Sequence, residues 1–490
     1  MSTKFNETVI INWKPDKNSD ITLTKQIIGY LKERIAKGDW LVGQKLPSQR
    51  KMAELFEVNR STIVEALSEL ASLGIIDSSF GKGTTIVNNT WSLLITSSTP
   101  DWKNYIEHGI HRPNNPIIQA MYKFEFIEPI IRLGAGEMSP DQFPHDMMAD
   151  VLKRVSDRNV SYNYLGPLGL YELRVELCKY LKKFNLHVEP SQVLIVSGSL
   201  QALQLISLSI LGPNSVVLVE EPSYIKSLRV FDFSGITMRN VPMDKDGIMP
   251  WMIDDTILKK GKSILYTIPT FHNPTGITIS ENRRSELLRW CKSNQLPIIE
   301  DDIYRELYFD EAPPLPIKTI DNTGNVLYMG SVSKSLAPGF RIGWIIGPES
   351  IVERLGDIKM QTDYGASSLS QWIMTEWFHS GLYDMHIQTF RKQLKERCSF
   401  MLHLLDLYFS DIATWNIPKG GFYIWLKLNK PLPIEKVFDQ ALKENVLINP
   451  GDIYSFKKNN CIRLSYSYAS NQDMEEGLKK LSVIIKRLMK

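Results

Sequence analysis

Apolar residues recur three and four positions apart near the start of the chain, at Leu23, Ile27, Leu31 and Ile35. That spacing places them on one face and predicts an amphipathic helix. A second helix is predicted from Pro47 and Ser48, with Ser48 as N-cap and Met52, Leu55 and Phe56 on the buried side. A tight turn over 57–59 leads to a third helix carrying Ile63, Leu67 and Leu70, which Gly74 stops. Ile75 and Ile76 then open a small hairpin, with Gly81 and Gly83 inside 78–85 and Ile86 and Val87 closing it. From Phe126 onward the pattern changes. Strand-like runs at 193–196, 216–219, 264–268, 297–299 and 326–329 alternate with amphipathic helical stretches. This alternation predicts an α/β unit with a mainly parallel sheet, and it puts any chemistry in the loops after the strands.

One stretch, 191–219, has no charged residue and is long enough to resemble a membrane span. It is interrupted by Gly198, Gln201, Gln204, Gly212, Pro213 and Asn214, so two buried strands flanking a buried helix are expected instead. At 490 residues the chain is expected to form two or three units. Its periodicities place a first unit at 20–88, a polar linker at 89–115 and the α/β unit at 116–490. The linker is rich in Ser, Thr, Asn and Pro, although Trp91, Leu93, Leu94, Trp102 and Tyr105 offer docking points. The net charge of +3 is too small to imply a nucleic-acid or membrane partner by itself. The cysteines, Cys178, Cys291, Cys398 and Cys461, form no C-x-x-C pair, so neither a zinc site nor a disulfide framework is expected. Together with a charged N-terminus lacking an apolar core, this fits a cytoplasmic protein without a membrane partner.

Helix, turn, helix and hairpin in that order form the outline of a winged DNA reader. Arg60, Ser61 and Thr62 stand at the start of the third helix, where a recognition helix presents groups to the major groove, and Arg50 and Lys51 can meet phosphates. Charge does not separate this from a protein-binding three-helix unit, because 20–88 holds nine Lys/Arg against eight Asp/Glu. The wording of the sequence does. Gly38-Asp39-Trp40, Lys45-Leu46-Pro47-Ser48-Gln49-Arg50, Val58-Asn59-Arg60-Ser61-Thr62 and Gly81-Lys82-Gly83-Thr84 closely resemble the GntR-type winged helix-turn-helix. The resemblance implies binding to double-stranded operator DNA through Arg50, Lys51, Arg60, Ser61 and Thr62, with Lys82 at the wing.

In the second unit, residues 331–344 follow an apolar strand and read SVSKSLAPGFRIGW. The segment resembles the lysine motif of fold-type I aminotransferases, enzymes of pyridoxal 5′-phosphate. The likeness implies Lys334 as the Schiff-base lysine, with Ser331, Ser333 and Arg341 holding the phosphate. A lysine, hydroxyls and a guanidinium are the groups that such a cofactor needs. Further segments resemble the family in the same order. Ser197-Gly198-Ser199-Leu200 joins a strand to a helix, so the backbone at Ser199 and Leu200 can cradle phosphate at a helix N-terminus. Tyr224, after Glu221-Pro222-Ser223, is implied to stack on the cofactor ring, although an aromatic there can equally be core. Asn273, in Asn273-Pro274-Thr275-Gly276, and Tyr304 are implied to bond the phenolic oxygen. Asp301 is implied to pair with the ring nitrogen, because the family's spacing to its tyrosine, here Tyr304, selects it over the adjacent Asp302. Arg463, in Cys461-Ile462-Arg463-Leu464, matches the arginine that clamps a substrate carboxylate. Tyr164, in Tyr164-Leu165-Gly166-Pro167, matches a tyrosine that reaches the neighbouring subunit's cofactor, which implies a homodimer.

A GntR-type reader joined to such a domain resembles the MocR (GabR-like) subfamily of transcription regulators. That resemblance implies a regulator that senses a small amine or amino acid through an external aldimine. The catalytic positions look intact, so an active aminotransferase with an autoregulatory DNA-binding domain stays open as the alternative.

Overall fold

The three helices of the first unit form at Leu23–Ala36 (α1), Gln49–Phe56 (α2) and Arg60–Ser72 (α3) in the computed structural model, which describes residues 9, 11–36, 39–40, 43–79, 83–87, 105, 113–158, 160–231, 235–259 and 262–490. Each boundary has a local cause. The Ser48 hydroxyl accepts a hydrogen bond from the Lys51 amide, and Glu57 ends α2 in the left-handed region at φ 54°. Helix α3 ends in a Schellman arrangement: Gly74 takes φ 66°, its amide donates to the Ala71 carbonyl, and the Ile75 amide donates to that of Leu70. Ile27, Leu31, Ile35, Met52, Phe56, Ile63, Leu67 and Leu70 are buried together. Val9, Ile11 and Trp13, upstream of the expected start at 20, also pack there, with Trp13 stacked on Tyr30 at 4.5 Å.

Strands β1 (Ile76–Ser79) and β2 (Gly83–Ile86) pair antiparallel from Ile76 opposite Ile86 to Ser79 opposite Gly83. The expected wing residues Gly81 and Lys82 lie outside the described residues, as do Gly38, Trp91, Leu93, Leu94 and Trp102. Tyr105 is exposed. The chain divides into Met1–Arg112 and Pro113–Lys490.

The second unit opens with α4 (Pro116–Phe124), capped by the Asn115 side chain, and a short strand β3 (Ile131–Arg132). The stretch 191–219 forms β4 (Val193–Val196), α5 (Ser199–Ser209) and most of β5 (Val216–Glu221), with the two strands largely buried. Among the described residues no helix is long and apolar enough to cross a membrane. The remaining strands of the large sheet are β6 (Thr237–Asp244), β7 (Gly247–Ile248), β8 (Ser263–Thr267), β9 (Ile298–Asp301), β10 (Val326–Ser331) and β11 (Gly343–Ile346). They lie in the order β4-β11-β10-β9-β8-β5-β6-β7. Pairings from β10 through β6 are parallel, while β11 is antiparallel to both β4 and β10.

That one reversal positions the site. Gly343 at the start of β11 lies opposite both Val196 and Ser331, which are at the ends of their own strands. The residues just before β11 therefore reach the edge where the parallel strands end. Strand β9 also runs further than the expected 297–299, so Glu300 and Asp301 belong to the strand and point to opposite faces. A smaller antiparallel sheet packs β12 (Ala413–Trp415), β13 (Tyr423–Leu428), β16 (Cys461–Ser465) and β15 (Asn449–Pro450), and β14 (Val446–Leu447) pairs with β3. All four cysteines are free and buried.

Candidate functional site

At the C-terminal edge of the large sheet a cavity of about 250 Å³ is lined by Lys334, Asn273, Tyr224, Arg463, Tyr423 and the backbone at 134–137. The Lys334 ammonium donates to the Gly136 carbonyl. A Cβ on Gly136 would come 2.6 Å from the Tyr423 hydroxyl and 3.7 Å from the Lys334 Nζ, so the missing side chain keeps this approach open.

The two adjacent aspartates have separate surroundings. Asp301 accepts from the Tyr266 hydroxyl at 2.7 Å through Oδ2, while its buried Oδ1 has no hydrogen-bond partner among the described residues. Burial pushes its carboxyl up to about 6, against that hydrogen bond and the nearby Lys334 charge. Asp302 pairs instead with buried Arg305. Glu300, on the other face of β9, accepts from the amides of Ile317 and Lys318.

The Asn273 side-chain amide donates to the Tyr304 hydroxyl at 3.2 Å and its oxygen accepts from Arg463 at 2.8 Å. The Tyr304 and Tyr423 hydroxyls are 3.2 Å apart, and burial holds the Tyr304 phenol well above its ordinary range. Arg463 also donates to the Gly134 carbonyl at 2.8 Å, and its guanidinium lies 4.1 Å from the Tyr423 ring centre and 4.9 Å from that of Tyr454. It is 4% exposed, and among the described residues no carboxylate lies within ion-pair distance of it. Tyr224 lines the same cavity, its amide donating to the Asn273 carbonyl.

To one side lies a polar cradle. Ser331 donates to the Ile342 carbonyl at 2.9 Å and stands 2.9 Å from the Ser333 hydroxyl. Arg341 takes φ 53°, which turns it toward the start of α5, where it donates to the Ser197 carbonyl at 2.6 Å. A Cβ on Gly198 would come 2.7 Å from that guanidinium. Only glycine at φ 84° lets Arg341 lie against the first turn of α5, whose free amides begin at Ser199 and Leu200.

The structure thus brings Lys334, Asn273, Tyr224, Tyr304, Asp301 and Arg463 into one neighbourhood, with Ser199, Leu200, Ser331, Ser333 and Arg341 beside it. Tyr164 is not brought to this cavity within its own chain; it is 82% exposed, its ring 5.0 Å from that of Tyr364. Sequence reasoning missed Tyr423, Tyr266, Tyr454 and the 134–137 backbone. Gly420-Gly421 directly before an aromatic strand was the available signal for Tyr423, since a Cβ at Gly420 would strike the Leu307 carbonyl and Phe271. Tyr266 and Tyr454 carry no comparable signal, because buried aromatics in strands and turns are ordinary core.

In the first unit Arg50, Lys51, Arg60 and Ser61 are exposed and Thr62 is half-buried. Their contacts are slight: Arg60 reaches the Gln49 amide oxygen at 3.3 Å, and Lys51 reaches Glu54 at 3.2 Å.

Comparison with known proteins agrees with both halves. Residues 23–86 match the family of bacterial regulatory proteins of gntR type, and residues 128–481 match aminotransferase class I and II. The chain is 48% identical over 477 residues to the HTH-type transcriptional regulator YisV of Bacillus subtilis, covering 97% of this chain and 99% of that one. It is 33% identical over 455 residues to the HTH-type transcriptional regulator NorG of Staphylococcus aureus, covering 91% and 100%. Among solved structures, the kynurenine aminotransferase of Pyrococcus horikoshii, crystallised with PMP, superimposes at a TM-score of 0.73 with 31% identity, over 78% of this chain and 96% of that one.

Proposed function

This chain belongs to the GntR-type transcription regulators that carry an aminotransferase class I and II domain, and from that premise we propose that its cavity holds pyridoxal phosphate on Lys334 and reads a small amine or amino acid. The carrying observation is a pair of buried groups left incomplete near one lysine: among the described residues, Asp301 Oδ1 has no hydrogen-bond partner and Arg463 no carboxylate. Unmet buried polar groups are costly, so a site that keeps two of them is built for a ligand.

The residues fit the cofactor's parts. Ser331, Ser333, Arg341 and the amides at Ser199 and Leu200 suit a phosphate, which a helix N-terminus and a guanidinium both favour. Asn273 and Tyr304 suit a phenolic oxygen, Tyr224 a ring face, and Asp301 a protonated ring nitrogen. When bound, the cofactor supplies an electron sink for a covalently attached amine. Lys334 would hold the cofactor through its side-chain amine, and Arg463 would hold the ligand's carboxylate. Tyr164 extends from its chain toward the phosphate of a second copy, making each site a shared one in a homodimer.

On the DNA side, Arg60, Ser61 and Thr62 reach base edges, and Arg50, Lys51 and the wing residue Lys82 neutralise phosphates. Effector binding alters operator affinity by favouring one of two conformations, which requires a different affinity for each.

The test is a titration of the full-length protein with pyridoxal phosphate, read by visible absorbance. The wild type is expected to show the band of a covalently held cofactor and Lys334→Ala to lack it entirely. An unchanged band in Lys334→Ala would remove Lys334 from this role. Adding amino acids with and without a 2-oxo acid then separates sensing from turnover: a lasting shift without product accumulation supports the sensor, and multiple turnovers support a working aminotransferase.

A further inference from the structure

The cavity is lined by two carboxylates that the cofactor reading leaves unused. Glu125 follows α4, with its amide donating to the Met121 carbonyl, and Glu137 follows the 134–136 backbone beside Lys334; both line the cavity. Glu137 is paired with Arg132 at 3.4 Å, and the Arg132 guanidinium also lies 3.7 Å from the centre of the Tyr468 ring. The Glu125 side chain is half-buried, and its carboxylate has neither a hydrogen bond nor an ion pair among the described residues.

Charge pairing within the cavity then leaves one group over. Lys334 is taken by the cofactor and Arg463 by the ligand's carboxylate. Arg132 is taken by Glu137. Glu125 alone has no ion-pair partner among the described residues; loss of water and repulsion from Glu137 hold its carboxyl above the ordinary range, against the more distant pull of Arg132, Arg463 and Lys334. A cation between the two glutamates relieves both effects. Ile118 and Met121 of α4 and Leu228 line the same cavity and give it an apolar surface beside the lysine and the glutamates. A methylene stem ending in a charge matches a cavity with both apolar and acidic lining.

We infer that the effector is an amino acid whose side chain ends in a second cation, an ammonium or guanidinium, held by Glu125 and Glu137 while its carboxylate meets Arg463. This rests on the reading that the cavity takes an amino acid through Lys334 and Arg463. An acidic side chain is disfavoured because Arg132 is already engaged and Glu125 would face a like charge.

The test titrates the full-length protein, loaded with pyridoxal phosphate, with lysine, ornithine, norleucine and 2-aminoadipate, following the cofactor's absorbance. Lysine or ornithine is expected to bind at least about tenfold more tightly than norleucine, the gain of one charge-assisted contact. Glu125→Gln is expected to shrink that ratio to about threefold or less, with Glu137→Gln acting in the same direction. Melting curves of both variants establish that they are folded. Norleucine or 2-aminoadipate binding as tightly as lysine overturns the inference while leaving the cofactor and effector reading intact. A ratio unchanged in both variants also overturns it. If none of the four shifts the band of a protein that holds its cofactor covalently, the amino-acid reading itself fails, and this inference falls with it.

Discussion

The two units set their working side chains in opposite surroundings. In the first, Arg60 and Ser61, proposed for DNA, stand exposed at the start of α3, while the buried face of the same helix, with Ile63, Leu67 and Leu70, holds the unit together. In the second, Asp301, Asn273, Tyr304 and Arg463 are themselves buried, and several are one another's hydrogen-bond partners. On the proposed assignment, recognition and stability reside in different residues of the DNA reader and in the same residues of the cavity. A regulator of this kind can change its operator contacts with little cost to its fold, whereas its ligand chemistry is tied to the core of the sheet.

The strongest way to break that comparison is at Leu67, which is 4% exposed on the inner face of α3. Leu67→Ala removes buried methyl groups and leaves a void, so the first unit should lose about 2–5 kcal/mol. Denaturant melting followed by circular dichroism should show an early transition, with the pyridoxal phosphate absorbance of the second unit keeping its midpoint. A cofactor midpoint that moved with the early transition would mean the two units do not unfold separately.

The next effect comes from Asp301, whose carboxyl is pushed from 3.8 to about 6 by burial. Its protonated form is the one the apo fold favours. As pH rises from about 4 to about 6, the unfolded chain releases this proton before the folded one does. Apo stability therefore falls across that window, by on the order of 3 kcal/mol, and does not recover above it. Asp301→Asn has no such proton and should lack this component, so the difference between wild-type and variant stability should change between pH 4 and 6 and level off above. Melting of the cofactor-free proteins at stepped pH measures it; a difference that stays flat would show that Asp301 is not the group responsible. Cofactor retention should move the other way, because an amide cannot pair with a protonated ring nitrogen as a carboxylate does.

These residues also mark how far the sequence could be read. The helices of the DNA reader were legible because caps and 3.6-residue spacing are local, as at Ser48 and Gly74. The cavity's loops were legible where a motif follows a strand, as at Asn273 and Lys334, whereas the different partners of Asp301 and Asp302 are visible only in the fold. Contacts made across the chain were not legible. Tyr266 meets Asp301 only because β8 and β9 pair in parallel register, and Tyr423 meets Tyr304 only through the packing of the second sheet. Glu125 and Glu137 have the sequence surroundings of any surface glutamate until α4 and the 134–137 backbone are folded over the lysine. Val9, Ile11 and Trp13 were missed for the same reason, since a short segment shows no period of its own.

The smallest effect should be at Arg60, and it tests the other half of the comparison. Its side chain is exposed and its contact within the fold is one long hydrogen bond to Gln49 at 3.3 Å, so Arg60→Ala should change the stability of the first unit by no more than about 0.5 kcal/mol. Against its own operator at fixed salt the same change should cost about 1–3 kcal/mol in binding, if the guanidinium reaches a base edge. The salt dependence separates this from a phosphate contact: losing a base contact leaves the slope of affinity against salt nearly unchanged, whereas losing a phosphate contact, as expected for Lys51→Ala, lowers it by about one. Mobility-shift titrations at several salt concentrations, paired with melting curves, give both quantities from one preparation. An Arg60→Ala protein that melted much earlier and bound DNA in proportion to its folded fraction would show that recognition and stability are joined in this unit too, and the contrast with the cavity would be lost.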